Sequence, residues 1–194
     1  MITYKSIKKG KHKDVSNLID MVNSSFGTDY ILEEDIEDAK KNKNTDMILA
    51  YEKDNIVGMI SYHIINEDRY EEFDIYNRLF KKHNVNPKYQ AYYNQTLVID
   101  TLYVSPQKRK NGLGSCMTQK VIKEAKKQKL ENIITIAWLN NTNDTSKGLF
   151  NRLGFKEICV EEDFWKEDSI EKDYECPICG NPCRCAADFF VLDL

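Results

Sequence analysis

A mixed α/β fold, with one sheet of about seven strands flanked by helices, is predicted for this chain by three observations. Helical apolar spacing near the N-terminus is followed by two apolar runs that bracket a Lys-Asp-Asn turn. The second half then alternates as β-α-β-α-β. A short strand is expected at Ile2 to Ile7. Val15, Leu18, Ile19 and Val22 lie on one helix face between Asp14 and Phe26, and an acidic helix follows around Glu33 to Lys41. Asp46 to Tyr51 and Ile56 to Tyr62 read as an antiparallel hairpin. Asn66 to Gln95 mixes acidic and aromatic residues over a span too long for a turn, and is expected to be an insertion with a helix near Arg69 to Lys82. Beyond it come a strand (Leu97 to Val104), a helix (Gly112 to Lys127), a strand (Ile133 to Leu139) and a helix (Asp144 to Leu153). The last two strands are expected at Phe155 to Trp165 and Asp188 to Leu192, with a cysteine-bearing loop over 166–187 between them.

The 194 residues are 41% hydrophobic and 30% charged, which suits a single domain spanning 1–194 and excludes disorder throughout. A chain of this size buries a core without disulfides, so its 6 cysteines need another explanation. The formal charge of -3 does not favour nucleic acid as a partner. No apolar run approaches the ~20 residues a bilayer needs. No membrane partner is therefore expected, and the chain reads as cytoplasmic.

The stretch Val104-Ser-Pro-Gln-Lys-Arg-Lys-Asn-Gly-Leu-Gly-Ser115 carries the most chemical information. A strand ends at a proline, turns through basic residues and opens a helix behind two glycines. Backbone N–H groups at a helix start lack intrahelical partners and meet the positive end of the helix dipole. Gly112 and Gly114 are expected to let a phosphate approach them. An ordinary strand-turn-helix is the alternative for so short a pattern.

Arg109-Lys110-Asn111-Gly112-Leu113-Gly114 resembles the acetyl-CoA signature Arg/Gln-x-x-Gly-x-Gly/Ala of the GNAT superfamily of acetyltransferases. A second block, Asn143, Ser146, Leu149, Phe150, Gly154 and Phe155, resembles the family pattern Asn-x-x-Ala-x-x-Leu-Tyr-x-x-x-Gly-Phe. The resemblance covers roughly residues 2 to 165. It implies a mixed, largely antiparallel sheet and direct acetyl transfer from acetyl-CoA to an amine of a small molecule or peptide. It also implies pyrophosphate on the amides of Arg109 to Ser115 and a pantetheine arm between splayed strands Leu97–Val104 and Ile133–Leu139. Backbone groups of Leu102 to Val104 would hold that arm, and Asn143 would touch the cofactor or merely cap its helix. A non-catalytic acetyl-CoA-binding or partner-binding module is the competing function.

Phe150 stands where many members of the family carry the tyrosine that protonates the leaving thiolate. The donor is then water or a side chain such as Tyr103 or Cys116, or none is needed, since a thiol pKa near ~8.5 makes thiolate a tolerable leaving group. An amine near pKa ~10.4 must lose a proton before it attacks. Asp100 is the first candidate base, because strand alternation puts it on one face with Leu102 and Val104. A paired structural aspartate is the plainer reading. His63 is the second candidate. In the insertion, Tyr70, Phe73, Tyr76 and Phe80 recur at helical spacing among carboxylates. They form either a packing stripe or a lid favouring a cationic amine.

Four cysteines fall within ten residues: Cys176-Pro-Ile-Cys179-Gly-Asn-Pro-Cys183-Arg-Cys185. The Cys-Pro-x-Cys-Gly portion matches a zinc-knuckle turn, and four thiolates suit tetrahedral Zn²⁺. The two pairs are unusually close, and Cys159 or a histidine could replace one ligand. A C-x-x-C disulfide switch or unligated thiols are the alternatives.

Overall fold

The computed structural model describes residues 1–9, 15–139 and 146–194. Seven strands form one sheet: β1 (Ile2–Ser6), β2 (Thr45–Glu52), β3 (Asn55–Ile64), β4 (Thr96–Val104), β5 (Asn132–Leu139), β6 (Lys156–Glu161) and β7 (Ala186–Asp193). Their spatial order is β1-β2-β3-β4-β5-β7-β6. Neighbouring strands run antiparallel, except that β4 pairs parallel with β5. Six α-helices are described: α1 (Val15–Phe26), α2 (Glu33–Lys41), α3 (Tyr70–Lys82), α4 (Leu113–Lys127), α5 (Lys147–Arg152) and α6 (Lys166–Glu171). Among the described residues no helix is long and apolar enough to cross a membrane.

The helices form because their apolar spacing gives each one a face to bury. In α4, Leu113, Met117, Val121 and Ala125 follow at four-residue steps and are buried on the sheet beside Leu97, Ile99 and Phe190. Full burial of a side chain such as Val121 or Met117 contributes roughly 1.5–3 kcal/mol. On the opposite face, Leu18 and Val22 of α1 and Ile36 of α2 pack on Met47, Leu49 and Met59. Tyr76 and Phe80 of α3 pack on Val98, Ile134 and Phe189. The aromatic stripe of the insertion therefore divides: Tyr76 and Phe80 are buried, whereas Tyr70 is exposed.

The fold departs from the sequence-based expectation near the C-terminus. The strand expected over Phe155 to Trp165 ends at Glu161, and the expected loop opens with α6. Its periodicity was hidden because Glu167 and Asp168 fill its first turn and its one buried side chain is Ser169.

Candidate active site

The parallel pairing of β4 with β5 is confined to Thr96–Ile99 against Asn132–Thr135. Beyond Ile99 the two strands diverge and open a cleft of about 910 Å³ lined by Leu102, Thr101, Ile136 and Trp138. Its far wall comes from the α1–α2 connection (Phe26 to Tyr30) and from α6 with the cysteine-bearing segment (Trp165 to Cys183). Carboxylates dominate its rim: Asp29, Asp100, Asp173 and Glu175 line it, whereas Lys172 is held 2.6 Å from Asp168.

At one side of this splay, β4 runs through a single 3₁₀ turn, Pro106–Lys108, into α4. Gly112 precedes α4 with φ +77°, a left-handed conformation in which a Cβ would be strained, and the space where that Cβ would point is open. Gly114 has a different reason to be glycine. It is buried, and a Cβ there would lie 2.9 Å from Leu149 Cδ1 and 3.7 Å from Leu102 Cδ2. Gly112 therefore keeps the turn open, while Gly114 lets α4 approach β4 and α5 closely. The requirement for glycine at 114 thus comes from packing of its Cα against Leu149 and Leu102, independently of what its amide faces. Lys110 also adopts positive φ (61°), Arg109 Nε donates to the Val104 carbonyl at 3.2 Å, and Lys108 pairs with Glu52 at 2.6 Å. Asn111 and Ser115 flank Gly112 and Gly114 in this turn and first helical residues. Asn143 lies outside the described residues.

The candidate bases come together through an irregularity. β3 pairs Ser61 with Thr101 but Tyr62 with Ile99, so Asp100 is the extra residue of a β-bulge. Alternation is interrupted there, and Asp100 faces the side of the sheet that carries His63, away from Leu102 and Val104. The expectation that it shares their face is corrected accordingly. His63 is 1% exposed and lies between two carboxylates. Its Nδ1 is 2.9 Å from Asp100 Oδ1, and its Nε2 is 2.8 Å from Glu72 Oε2 on α3. Tyr76 donates to Glu72 Oε1 at 2.9 Å, and Arg69 Nη1 approaches Glu72 at 3.5 Å. Burial alone would push the His63 pKa down, but Asp100 and Glu72 outweigh it and raise it to about 9. Burial likewise opposes ionisation of Glu72, yet the hydrogen bond and charge of His63 hold its carboxyl below the usual range. Burial above all, then the Glu72 charge, raises the Tyr76 phenol.

Two further candidates sit elsewhere. Tyr103 is buried among the α1 and α2 side chains and is not among the residues lining the cleft. Cys116 is on α4 beside Tyr4. Phe150 does line the cleft, and its ring also packs on Phe155 and Phe190. Tyr30, which the sequence reading passed over, places its hydroxyl in the cleft 3.0 Å from Thr101 Oγ1. Its only sequence signal is its place in the polar connection between two helices.

The sulfurs of Cys176, Cys179, Cys183 and Cys185 all lie within 4.8 Å of one another. Cys176 and Cys185 are 3.8 Å apart, Cys179 and Cys183 3.7 Å, and Cys179 and Cys185 3.6 Å. A tetrahedron of thiolates at the Zn–S length of about 2.3 Å has edges of about 3.8 Å, so the donor set and its spacing fit that ion. Gly180, at φ +75°, closes the knuckle by exchanging backbone hydrogen bonds with Cys176 (2.9 and 3.3 Å). The Arg184 amide donates to Cys179 Sγ at 3.2 Å. Buried Ser169 of α6 anchors the knuckle: its Oγ accepts from the Cys183 amide at 2.8 Å, and its carbonyl accepts from Asn181 Nδ2 at 3.0 Å. Trp138 and Trp165 pack on the cysteines, and Cys176 and Cys183 reach the cleft wall. Cys159 is on β6, apart from this group.

Comparison with known proteins agrees with this geometry. Residues 15–155 match the model of the acetyltransferase (GNAT) family. No curated protein sequence matches the chain. Among solved structures, Arabidopsis thaliana NAA60 in complex with a bisubstrate analogue superposes with a TM-score of 0.67 at 14% identity, covering 100% of this chain and 98% of that one. A GNAT family acetyltransferase from Elizabethkingia anophelis with acetyl-CoA bound gives 0.61 at 15%, covering 100% and 98%. A Streptococcus pneumoniae GNAT acetyltransferase gives 0.66 at 12%, covering 100% of both chains. The splayed β4 and β5, the glycine-opened start of α4 and the family match over most of the chain lead to one conclusion: the chain belongs to the GNAT acetyltransferase family.

Proposed function

We propose that this chain is an N-acetyltransferase that moves the acetyl group of acetyl-CoA directly onto an amine acceptor. The observation that carries this reading is the cleft at the β4–β5 splay, with a turn suited to the cofactor at one side and Asp100 on its wall. The pyrophosphate would rest on amides of Arg109, Lys110, Asn111, Gly112, Leu113, Gly114 and Ser115, where the α4 dipole favours negative charge. Backbone groups of Leu102 and Val104, on the β4 edge that β5 leaves, would hold the pantetheine arm. Phe150 would pack against that arm, and Asn143 is assigned to the cofactor on its motif position alone. Elizabethkingia anophelis acetyltransferase, solved with acetyl-CoA, supports the choice of co-substrate.

In the reaction, Asp100 takes a proton from the acceptor ammonium, and the nitrogen lone pair then attacks the thioester carbonyl carbon. The C–N bond forms, the nitrogen releases its second proton to solvent water, the C–S bond breaks, and CoA departs as thiolate. A backbone N–H of β4 would stabilise the charge that develops on the carbonyl oxygen. Tyr103 is not assigned the role of acid, since its ring is buried under α1 and α2. A thiolate needs no obligatory proton donor. The carboxylate-rich rim favours a cationic acceptor over an anionic one.

Cys176, Cys179, Cys183 and Cys185 would hold Zn²⁺, which would act as a cross-link without taking part in acyl transfer. Packed on α6 and the α1–α2 connection, the clamped knuckle would shape acceptor choice. Reduced thiols suit a cytoplasmic location.

Native mass spectrometry with and without acetyl-CoA, followed by an amine panel read by release of free CoA thiol, tests the proposal. One zinc, one acetyl-CoA and amine-dependent thiol release are expected. Cofactor binding without release on any amine would point instead to a non-catalytic acetyl-CoA-binding module.

A further inference from the structure

We propose that His63, carried as an imidazolium and anchored by Glu72 of the helical insertion, is a positioning residue that fixes the Asp100 carboxylate in the acceptor cleft. The inference rests on the acetyltransferase reading and gives the insertion a part in turnover.

The argument starts from the ring's two nitrogens. Nδ1 faces Asp100 at 2.9 Å and Nε2 faces Glu72 at 2.8 Å. A neutral imidazole has one N–H and one lone pair, so it would turn a lone pair toward one carboxylate. The cation turns an N–H toward each: Nδ1 is hydrogen-bonded to Asp100, while Nε2 and Glu72 form an ion pair at 2.8 Å whose angle falls outside hydrogen-bond geometry. At 1% exposure the ring has little water to replace either partner, and a buried charge persists only when it is paired in this way.

Asp100 needs such a brace. It is the extra residue of the bulge, its side chain is 38% exposed, and an unheld carboxylate there would sample solvent. Around the ring, α3 supplies Glu72, itself held by Tyr76 and Arg69, β4 supplies Asp100, and β2 places Thr45 opposite His63. The imidazolium and the Arg69 guanidinium, 3.5 Å from Glu72, together balance the two carboxylates, so the charged ring leaves no unpaired charge in the cluster. When the acceptor's proton passes to Asp100, the imidazolium already satisfies the carboxylate's other side.

The test uses the full chain and Glu72→Gln, which keeps the side chain's shape. The imidazole pKa values are read by ¹³C and ¹⁵N NMR. Turnover is followed against pH with acetyl-CoA and two amine probes, 1,4-diaminobutane and a Met-Lys peptide. In the unmodified chain His63 is expected to titrate near 9. The variant should lower that value by about one pH unit and move the alkaline limb of turnover with it. Its acetyl-CoA affinity should stay unchanged. His63→Gln should abolish that limb and reduce kcat by about 10²-fold, with the native circular dichroism retained. A His63 titration at or below the ordinary imidazole value overturns the proposal. So does an alkaline limb and kcat unmoved by Glu72→Gln while the unmodified chain turns over. Absence of thiol release from the unmodified chain with both probes and the whole amine panel removes the acetyltransferase reading, and this role with it.

Discussion

The two sides of the cleft are built on different principles. The proposed cofactor side is a local, backbone device: one strand end, one turn and one helix start within Val104 to Ser115, shaped by the left-handed Gly112 and the close-packed Gly114. The proposed acceptor side is assembled from side chains distant in sequence. His63 comes from β3, Glu72 from the insertion, Asp100 from a bulge in β4, and the knuckle of Cys176 to Cys185 from the segment before β7. A local backbone device can persist while acceptor chemistry changes, because no part of it depends on the other wall. A wall made of long-range contacts is where one scaffold acquires its own acceptor.

Breaking the acceptor side alone should give the largest effect. Asp100→Asn keeps the shape of the bulge but removes the proposed proton acceptor. Its kcat with any accepted amine should fall by about 10²–10⁴-fold, with acetyl-CoA affinity unchanged by calorimetry. An equal loss of cofactor affinity would show that the two sides are not independent.

The same brace should be visible in stability. The His63 pKa is raised in the fold from 6.5 to about 9. Its contribution is therefore fully present below the unfolded value, declines across the interval and is lost as pH rises through about 9. Urea denaturation of the unmodified chain should lose up to about 3 kcal/mol between pH 6.5 and pH 9. The loss should be smaller in Glu72→Gln. Glu72 works in the opposite sense: its carboxyl is lowered, so its contribution holds above the ordinary carboxylate range and disappears on acidification.

How much of this was legible in the sequence follows from the same division. The α4 turn, the hairpin and the β-α-β alternation were readable because each is set by residues a few positions apart. The face of Asp100 was misread because alternation assumes an unbroken pleat, and the bulge opposite Ser61 and Tyr62 leaves no mark in composition. His63, Glu72 and Asp100 could each be singled out, but nothing local announces that a strand histidine sits between residues 9 and 37 positions away. The cysteines announced themselves. Their closure into one group depends on the Cys176–Gly180 hydrogen bonds and on Ser169, whose helix is too short and polar to be read.

The smallest expected effects sharpen the comparison, because they test whether the two glycines differ as their surroundings suggest. Gly114→Ala puts a methyl 2.9 Å from Leu149 Cδ1 and should destabilise the fold by about 1–3 kcal/mol through overpacking. That corresponds to a fall in Tm of roughly 2–12 °C. The added methyl would press on Leu149 and Leu102 inside the core, so acetyl-CoA affinity should change little in the fraction that remains folded. Gly112→Ala meets no neighbour within 4 Å, so only the left-handed backbone opposes it, at about 1 kcal/mol. Its Cβ, however, points into the open side of the turn where a pyrophosphate would lie. Calorimetry should therefore show weaker acetyl-CoA binding for Gly112→Ala despite its milder destabilisation. If both variants lost stability alone, the phosphate would have to be held by groups other than the amides around Gly112.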